Sequence, residues 1–366
     1  MTYKKPVLLV GNGVRAAGAA KLVYQFAKKT SIPVLTTMNA ADLVQDEFHI
    51  GFIGTYGNRA ANMIISECDL LISVGARLGL RQIGHIRERF APKAKLIRVE
   101  IDPNELSRTI KDDEEKHLQD AKEYLEELLT KDIPNYGAWF NRCKEVKRLL
   151  DSYDDVDGNI AVKKIASLLP ENPMVSVDVG QHQCWCAQSL ELKGEDGRIL
   201  FSGGYGSMGC SLPYALGASI ATNKGIVYCI TGDGGLQMNI QELEAVVREK
   251  LPIKIIVLNN KVLGKISEIQ YGSYDCRYAQ TTAESGYTVP DFEKIALAYG
   301  IKACTLSSCQ ELDAYKAWFM DNEPCLINIS LPVDTLLIPK IKWETGKIMP
   351  ELQEDILGKV KQLLEY

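Results

Sequence analysis

Short apolar runs, each followed by a longer stretch of mixed polarity, recur along most of this 366-residue chain. Val7–Val10, Ile226–Ile230 and Ile253–Leu258 are rich in β-branched residues and leucine, as expected for parallel strands that are buried on both faces. Between the last two runs, Leu243 and Val246 lie on one face of a predicted helix. The pattern predicts an α/β fold with two doubly wound parallel-sheet domains.

The same pattern predicts where the domains begin and end. We expect a central Rossmann-like domain over residues 1–130, a linker over 131–157 held down by Trp139 and Phe140, and a second domain over 158–366. Within the first domain, the charged sequence from Pro103 to Leu129 predicts helix. Within the second, Glu351–Leu364 predicts an amphipathic helix that is docked rather than free.

Polar residues follow the two central apolar runs of the second domain. Gly232-Asp233-Gly234 comes after the first run, and Asn259-Asn260 after the second. The carboxyl ends of parallel strands meet at one edge of a sheet, where ligands bind in such folds. A carboxylate and an amide oxygen suit Mg²⁺, which also takes oxygens from a diphosphate. The alternative is a pair of ordinary turns in an α/β sheet.

The helix between these two motifs has a predicted start. Asn239 has the residue type of a helix N-cap, and Glu242 follows three positions later, as in a capping box. Backbone N–H groups near a helix start would favour the binding of a diphosphate.

Two more segments share this part of the chain. GQHQCWCAQ (180–188) follows a predicted strand at Met174–Val179, and SGGYGSMG (202–209) precedes a predicted helix at Leu212–Ala221. With the Gly-Asp-Gly and Asn-Asn motifs, their order and spacing resemble the acetolactate synthase and pyruvate oxidase group of thiamine-diphosphate enzymes. The likeness covers nearly the whole chain: the first part resembles the central domain of those enzymes and the last part their diphosphate-binding domain.

The resemblance implies roles for individual residues. Gln181 and His182 would contact the diphosphate, the carbonyl of Gly206 would accept a hydrogen bond from the aminopyrimidine, and Met208 would hold the cofactor in its bent form. Backbone would line the diphosphate site at Gly234, Gly235, Leu263 and Gly264. The implied ligands of Mg²⁺ are Asp233, Asn260 and the carbonyl oxygen of Val262.

The resemblance also implies an activity: decarboxylation of a 2-oxo acid, or its addition to a second carbonyl compound. Family members carry the glutamate that activates the cofactor in a pyrimidine-binding domain, and no segment of this sequence resembles that domain. We therefore expect the isolated chain to be inactive, and the missing domain to lie on another subunit or to have been removed. The implied assembly is a homodimer or homotetramer, because the family's cofactor lies between subunits.

Substrate choice is not fixed by the sequence. Acetolactate synthases have a methionine and a tryptophan soon after the Asn-Asn pair, where this chain has Lys265 and Ile269. Lys265 would either meet a carboxylate or phosphate of the substrate or point to solvent.

The first domain has a weaker motif. Gly11-Asn12-Gly13 follows a strand and precedes a helix, as in dinucleotide-binding sites. The second strand ends at Met38-Asn39 without the acidic residue that NAD requires, and the nearest acid is Asp42. Gly75-Ala76-Arg77 with Arg81 is partly similar to the flavin-contacting stretch of acetolactate synthase, so FAD is compatible with this domain but not favoured.

Composition narrows the remaining choices. A net charge of −5 without basic clusters gives no case for nucleic acid or an anionic membrane. Without a signal peptide or a long apolar run, we expect a cytoplasmic protein. The ten cysteines, several of them in apolar segments, are interpreted as reduced buried thiols. Two alternatives stay open beside the thiamine-diphosphate enzyme: a flavin or nicotinamide oxidoreductase, and a non-catalytic interaction protein.

Overall fold

The computed structural model describes residues 3–45 and 47–365, which form two compact units. The first unit comprises Met1–Asp154 and Ile338–Tyr366, and the second comprises Asp155–Leu337. Each unit contains one six-stranded sheet in which all paired strands are parallel. The predicted α/β class with two parallel-sheet domains is confirmed.

The strands of the first unit alternate with helices or 3₁₀ turns along the chain. They are β1 (Pro6–Val10), β2 (Val34–Thr36), β3 (His49–Phe52), β4 (Leu70–Val74), β5 (Lys95–Glu100) and β6 (Glu115–Leu118), in the spatial order β3-β2-β1-β4-β5-β6. The helices are α1 (Asn12–Ala16), α2 (Ala20–Thr30), α3 (Arg59–Glu67), α4 (Leu80–Ile83), α5 (Pro103–Ser107), α6 (Ala121–Thr130) and α7 (Gly137–Leu150), with 3₁₀ turns at Met38–Ala40 and Arg87–Arg89.

The second unit also alternates strands with helices, but its strands follow a different spatial order. Its strands are β7 (Met174–Val177), β8 (Arg198–Phe201), β9 (Val227–Gly232), β10 (Ile253–Asn259), β11 (Lys302–Leu306) and β12 (Cys325–Ser330), in the order β11-β12-β10-β9-β7-β8. Its helices are α8 (Asp157–Leu168), α9 (Gln181–Ser189), α10 (Ser211–Ala221), α11 (Asp233–Met238), α12 (Leu243–Arg248), α13 (Gly264–Ser273), α14 (Phe292–Ala298) and α15 (Lys316–Met320), with 3₁₀ turns at Ile240–Glu242 and Cys309–Tyr315. The predicted strands before both polar motifs are confirmed.

The chain then returns to the first unit. The returning elements are β13 (Lys340–Ile341), β14 (Ile348–Met349) and α16 (Glu354–Leu364). Val360 and Leu364 of α16 are buried in the core of the first unit, and Lys5 Nζ donates to the carbonyl of Leu364 over 2.6 Å. The predicted helix near the C-terminus therefore exists and is docked, but it belongs to the first unit and not to the second domain, in which the sequence placed it.

The segment 131–157 is also different from the expected linker. Most of it is α7, and Trp139 and Phe140 are buried in the first unit's core. Trp139 Nε1 donates to the carbonyl of Pro6 at 3.1 Å. The two aromatic side chains thus hold this segment down as expected, but as an integral helix of the first unit.

The prediction of helix from Pro103 to Leu129 was wrong in its middle. Glu115–Leu118 forms β6, an edge strand that pairs with β5 in register Ile97↔Glu115. Its residues are mostly exposed, so no apolar run marks it in the sequence. Pairing with a neighbouring strand overrides the local helical tendency of this charged stretch.

Candidate functional site

Three central strands of the second sheet end side by side. β10 pairs with β9, and β9 with β7, in registers Leu258↔Gly232 and Val177↔Ile230. Their carboxyl ends therefore bring Asp178, Asp233 and Asn260 to one edge of the sheet. This is the edge at which α/β folds bind ligands, and the sequence-predicted residues Asp233 and Asn260 lie at it.

Asp233 is the first residue of α11 and is only 3% exposed. Its Oδ1 accepts from the Gly234 N–H at 2.6 Å and from the Tyr287 hydroxyl at 2.8 Å. Its Oδ2 accepts from the Lys261 N–H at 2.7 Å. Burial raises the pKa of Asp233, and the three hydrogen bonds oppose that rise.

The predicted helix start at Asn239 is confirmed in position, because Asn239 is the N-cap of the 3₁₀ turn Ile240–Glu242 that leads directly into α12. A separate short helix, α11, precedes it from Asp233 and ends at Asn239, which has φ −137°. Its side chain makes no capping bond there, and Nδ2 instead donates to the carbonyl of Gly209 at 2.7 Å. Tertiary contacts thus override the low helix propensity of Gly234 and Gly235.

Asn260 is connected to Asp233 by Lys261, the next residue in the chain, whose N–H donates to Asp233 Oδ2. Lys261 adopts a left-handed conformation with φ 58°, which turns its N–H toward Asp233. Asn260 Nδ2 donates to Gln181 Oε1 at 2.9 Å, and Gln181 Nε2 donates to the carbonyl of Thr335 at 3.2 Å. These bonds connect the ends of β9 and β10 to the start of α9.

The free oxygens of this cluster fit a divalent cation. A carboxylate oxygen accepts about two hydrogen bonds, so Asp233 Oδ2 retains one acceptor position. Asn260 Oδ1 accepts no hydrogen bond from any described residue. Asp233 forms no ion pair within residues 3–45 and 47–365, so a buried carboxylate stands there without a cationic partner. Oxygen donors in this state are the kind that Mg²⁺ takes.

His182 lies in the first turn of α9 and is 6% exposed. A Cβ at Gly180 would collide with its ring, and one at Gly232 would lie 2.8 Å from its Cε1. Burial lowers the pKa of His182 to about 4; Lys265 acts in the same direction and Asp178 opposes both. Its Nε2 is buried without a hydrogen-bond partner among the described residues.

Glycines allow the chain segments of this site to approach each other. A Cβ at Gly264 would collide with Gln181 Oε1. A Cβ at Gly234 would lie 2.6 Å from Leu263 Cδ2, 3.0 Å from the Tyr287 hydroxyl and 3.4 Å from Met208 Cε. The predicted residues Gly234, Leu263, Gly264 and Met208 are therefore brought together.

The remaining predicted residues lie close by in the chain. Gly235 is buried against Asp178, whose Cγ would lie 2.9 Å from a Cβ there. Val262 is 7% exposed in the loop that joins β10 to α13. Gly206 has φ 67° and lies two residues before Met208, but no recorded contact among the described residues joins it to Asp233 or Asn260.

Two polar residues of this site were missed from the sequence. Asp178 is fully buried and accepts from the N–H groups of Gly209 and Ser211 at 2.8 and 3.0 Å. Tyr287 contacts Asp233 from 54 positions away in the chain. An acidic residue at the end of an apolar strand could have indicated Asp178, whereas no local pattern marks Tyr287.

Lys265 does not simply point to solvent. It follows Gly264 in the first turn of α13, and its Nζ lies 3.3 Å from Cys184 Sγ. Its charge acts on His182 by lowering the pKa of that imidazole. Ile269, one turn later, is 46% exposed.

The glycine motif of the first unit serves packing. The Gly11 N–H donates to the carbonyl of Val74 and the Gly13 N–H to that of Gly75, both at 3.0 Å. A Cβ at Gly11 would collide with the Gly75 carbonyl, and Asp42 is paired with Arg15. Both glycine N–H groups are thus used by backbone oxygens, which leaves neither for a dinucleotide phosphate.

All ten cysteines are free, and all but Cys276 are buried, in agreement with their interpretation as reduced thiols.

Along the described stretches of the chain, no helix has the length and apolarity needed to cross a membrane.

Comparison with family models gives two matches. Residues 1–128 match the thiamine pyrophosphate enzyme central domain, and residues 178–329 match the thiamine pyrophosphate enzyme C-terminal TPP binding domain. Together they cover more than half of the chain, and the second contains Asp233, Asn260, Gln181 and Tyr287.

Curated relatives agree with these matches. The chain is 35% identical over 367 residues to a probable acetolactate synthase large subunit of Methanocaldococcus jannaschii, which covers 95% of this chain and 61% of that protein. It is 33% identical over 338 residues to the acetolactate synthase isozyme 2 large subunit of Escherichia coli, covering 90% and 60%. The large subunit from Cyanidium caldarium is 35% identical over 323 residues, covering 84% and 54%. The chain thus spans little more than half the length of these relatives.

Proposed function

The chain belongs to the thiamine pyrophosphate enzyme family, with its central and cofactor-binding domains, and on that premise we propose that it binds thiamine diphosphate through Mg²⁺ and serves the conversion of 2-oxo acids. The reaction class is decarboxylation or carboligation of the acetolactate synthase type. The relatives named as acetolactate synthases support this class.

One observation carries the proposal. Asp233 Oδ2 and Asn260 Oδ1 keep acceptor capacity at the carboxyl edge of the sheet. They lie beside a cradle lined by the backbone of Gly234, Gly235 and Gly264. The proposed ligands of Mg²⁺ are Asp233, Asn260 and the carbonyl of Val262. Gln181, His182, Gly234, Gly235, Leu263 and Gly264 are proposed to face the diphosphate, with Gly206 and Met208 toward the rest of the cofactor.

The chain's own residues would bind and orient. When bound, the cofactor supplies the electron sink that decarboxylation of a 2-oxo acid needs. Asp233 and Asn260 would hold the metal, and Met208 would hold the cofactor in its bent shape. We propose that a pyrimidine-binding unit, on another subunit or in further sequence, supplies the activating glutamate, and that the assembly is a homodimer or homotetramer.

Lys265 is proposed as a further residue that contacts the substrate. Its ammonium lies 3.3 Å from Cys184 Sγ, and its charge contributes to the lowered pKa of His182. A carboxylate or a phosphate of the substrate is the group that it would meet. No observation in the first unit favours flavin or nicotinamide chemistry to the same degree.

The test is calorimetric titration of the chain with thiamine diphosphate, with and without Mg²⁺. We expect Asp233→Asn to weaken Mg²⁺-dependent binding by on the order of 100-fold, because even the partners of metal ligands contribute 10–100-fold. Asp196→Asn is the matched control, since Asp196 is exposed in the loop before β8. Equal affinity of Asp233→Asn and wild type would contradict the metal assignment.

A further inference from the structure

Tyr287 occupies a defined position on the carboxylate of Asp233. Its hydroxyl donates to Oδ1 at 2.8 Å, and the Gly234 N–H donates to the same oxygen at 2.6 Å. Two donors fill the acceptor capacity of that oxygen. Oδ2 receives one donor, the Lys261 N–H at 2.7 Å, and so has one lone pair left.

The loop that carries Tyr287 is fastened to the loop that carries Asn260. The Leu263 N–H donates to the carbonyl of Thr281 at 2.9 Å, and the Tyr287 N–H donates to the carbonyl of Thr282 at 2.9 Å. Ser285 Oγ accepts from the N–H groups of Thr281 and Thr282 at 3.0 and 2.9 Å. The phenol is therefore held in place by the same backbone that lines the cradle.

Oδ2, the carboxylate oxygen that keeps an acceptor position, is the one on the side of Asn260. Oδ2 is bonded to the residue directly after Asn260, so its remaining lone pair belongs to the oxygen next to the second proposed ligand. Oδ1 is covered by Tyr287 and Gly234. A carboxylate fixed in this way can give a metal one oxygen and cannot rotate to give two.

We propose that Tyr287 is a positioning residue for the metal ligand Asp233: its hydroxyl holds Oδ1, so that Asp233 binds the cation through Oδ2 alone. The inference rests on the proposed function, because it concerns the same metal site. Partners of metal ligands orient the ligand and commonly contribute 10–100-fold to metal affinity.

A competing role can be separated from this one. If the phenol merely stabilised Asp233 in the absence of metal, it would compete with the cation, and its removal would tighten metal binding. If it positions the carboxylate, its removal frees the carboxylate to rotate and weakens metal binding. The two roles predict opposite signs for one measurement.

The measurement is a Mg²⁺ titration of the full chain at a fixed concentration of thiamine diphosphate, followed by calorimetry and by the metal-induced rise in Tm. Tyr287→Phe removes only the hydroxyl, and we expect the half-saturating Mg²⁺ concentration to increase by about tenfold. Tyr274→Phe is the matched control, because Tyr274 is 53% exposed and should behave as wild type.

Two further comparisons complete the experiment. In an Asp233→Asn background, Tyr287→Phe should cause no additional change in metal affinity. Each Tm shift is referred to the variant's own metal-free Tm, so a general loss of stability cannot imitate the result.

An unchanged or lower half-saturating concentration for Tyr287→Phe would overturn the inference. Wild-type binding that does not depend on Mg²⁺ would instead overturn the proposed metal site, and the inference with it.

Discussion

His182 is a buried base that lacks a partner on one nitrogen. Its ring is bonded to the backbone of Asp178, a contact that raises the pKa, so a carbonyl accepts from Nδ1–H. Nε2 has no partner among the described residues and carries no proton in the neutral ring. Phosphate oxygens are mainly acceptors at neutral pH, so contact with a diphosphate requires a proton on Nε2.

We therefore predict that thiamine diphosphate binding takes up a proton at His182. The pKa of His182 in the free protein is lowered to about 4, and a neighbouring diphosphate would raise it. Because the complex then holds more protons than the free protein, affinity should increase as pH falls from about 8 to about 6. Calorimetry in buffers of different ionisation enthalpy measures the uptake.

His182→Gln should reduce this proton uptake, while the cofactor's own ionisation persists in both proteins. The same uptake in the variant and in wild type would contradict the prediction. In the cofactor-free protein, the free energy of unfolding should decrease as pH falls, whereas cofactor affinity should increase. The lowered pKa of His182 contributes stability above pH 6.5, and this stability is lost as pH falls toward 4.

Among the secondary-structure elements, β7 and α10 are joined by one side chain. Asp178 follows β7, and its Oδ2 accepts from the N–H and the hydroxyl of Ser211 at 3.0 and 2.8 Å. Its Oδ1 accepts from the N–H of Gly209 at 2.8 Å. Since Met208 directly precedes Gly209, the contact also fixes the residue proposed to support the cofactor.

Asp178→Ala should destabilise the second unit by on the order of 2–4 kcal/mol, because it leaves several buried donors without an acceptor. We also expect weaker thiamine diphosphate binding, since the segment that ends at Gly209 loses its anchor. Chemical denaturation monitors the first effect and calorimetry the second. Asp196→Ala is the exposed control, and equal stability of the two variants would refute the role of Asp178.

The elements that the sequence predicted well are those whose signal is local. Buried parallel strands such as β9 and β10 consist mostly of apolar residues, and this pattern locates them. β6 was missed because an exposed edge strand has no such run. Helix α11, which begins at Asp233, was missed because glycines disfavour helix in isolation, whereas this short helix is held by contacts with the rest of the unit.

The same distinction applies to the site. Asp233 and Asn260 could be grouped from the sequence because each stands just after a strand, and strand ends share an edge, whereas Gln181 was included through the family resemblance. Tyr287 could not, because the loop that presents it has no periodic pattern and its contact with Asp233 spans 54 positions. Contacts made by irregular loops depend on the complete fold.

In the whole molecule, the first unit is assembled from two separate stretches of sequence. Leu364 is 2% exposed, and it belongs to the same core as Val146 and Leu150 of α7. Helix α16 is therefore part of the first unit's hydrophobic core, although the entire second unit separates it in sequence from β1–β6 and α1–α7.

Leu364→Ala should lower the stability of the first unit by about 2–4 kcal/mol, the usual effect of truncating a buried leucine. The second unit has its own core, so thiamine diphosphate binding should change little. Calorimetric unfolding reports the first quantity and titration the second. Leu357, which is less buried in the same helix, provides the control substitution Leu357→Ala, and equal Tm values for both variants would contradict the prediction.

The return of α16 has a consequence for synthesis on the ribosome. Domains generally fold in the order in which they emerge, but here the stretch that precedes Asp155 lacks a piece of its core until residues beyond Leu337 have been made. The second unit lies between these two stretches, so it can finish folding before the first unit is complete. Ribosomes that stop prematurely after Leu337 would thus release a chain with a complete cofactor-binding unit and an incomplete first unit.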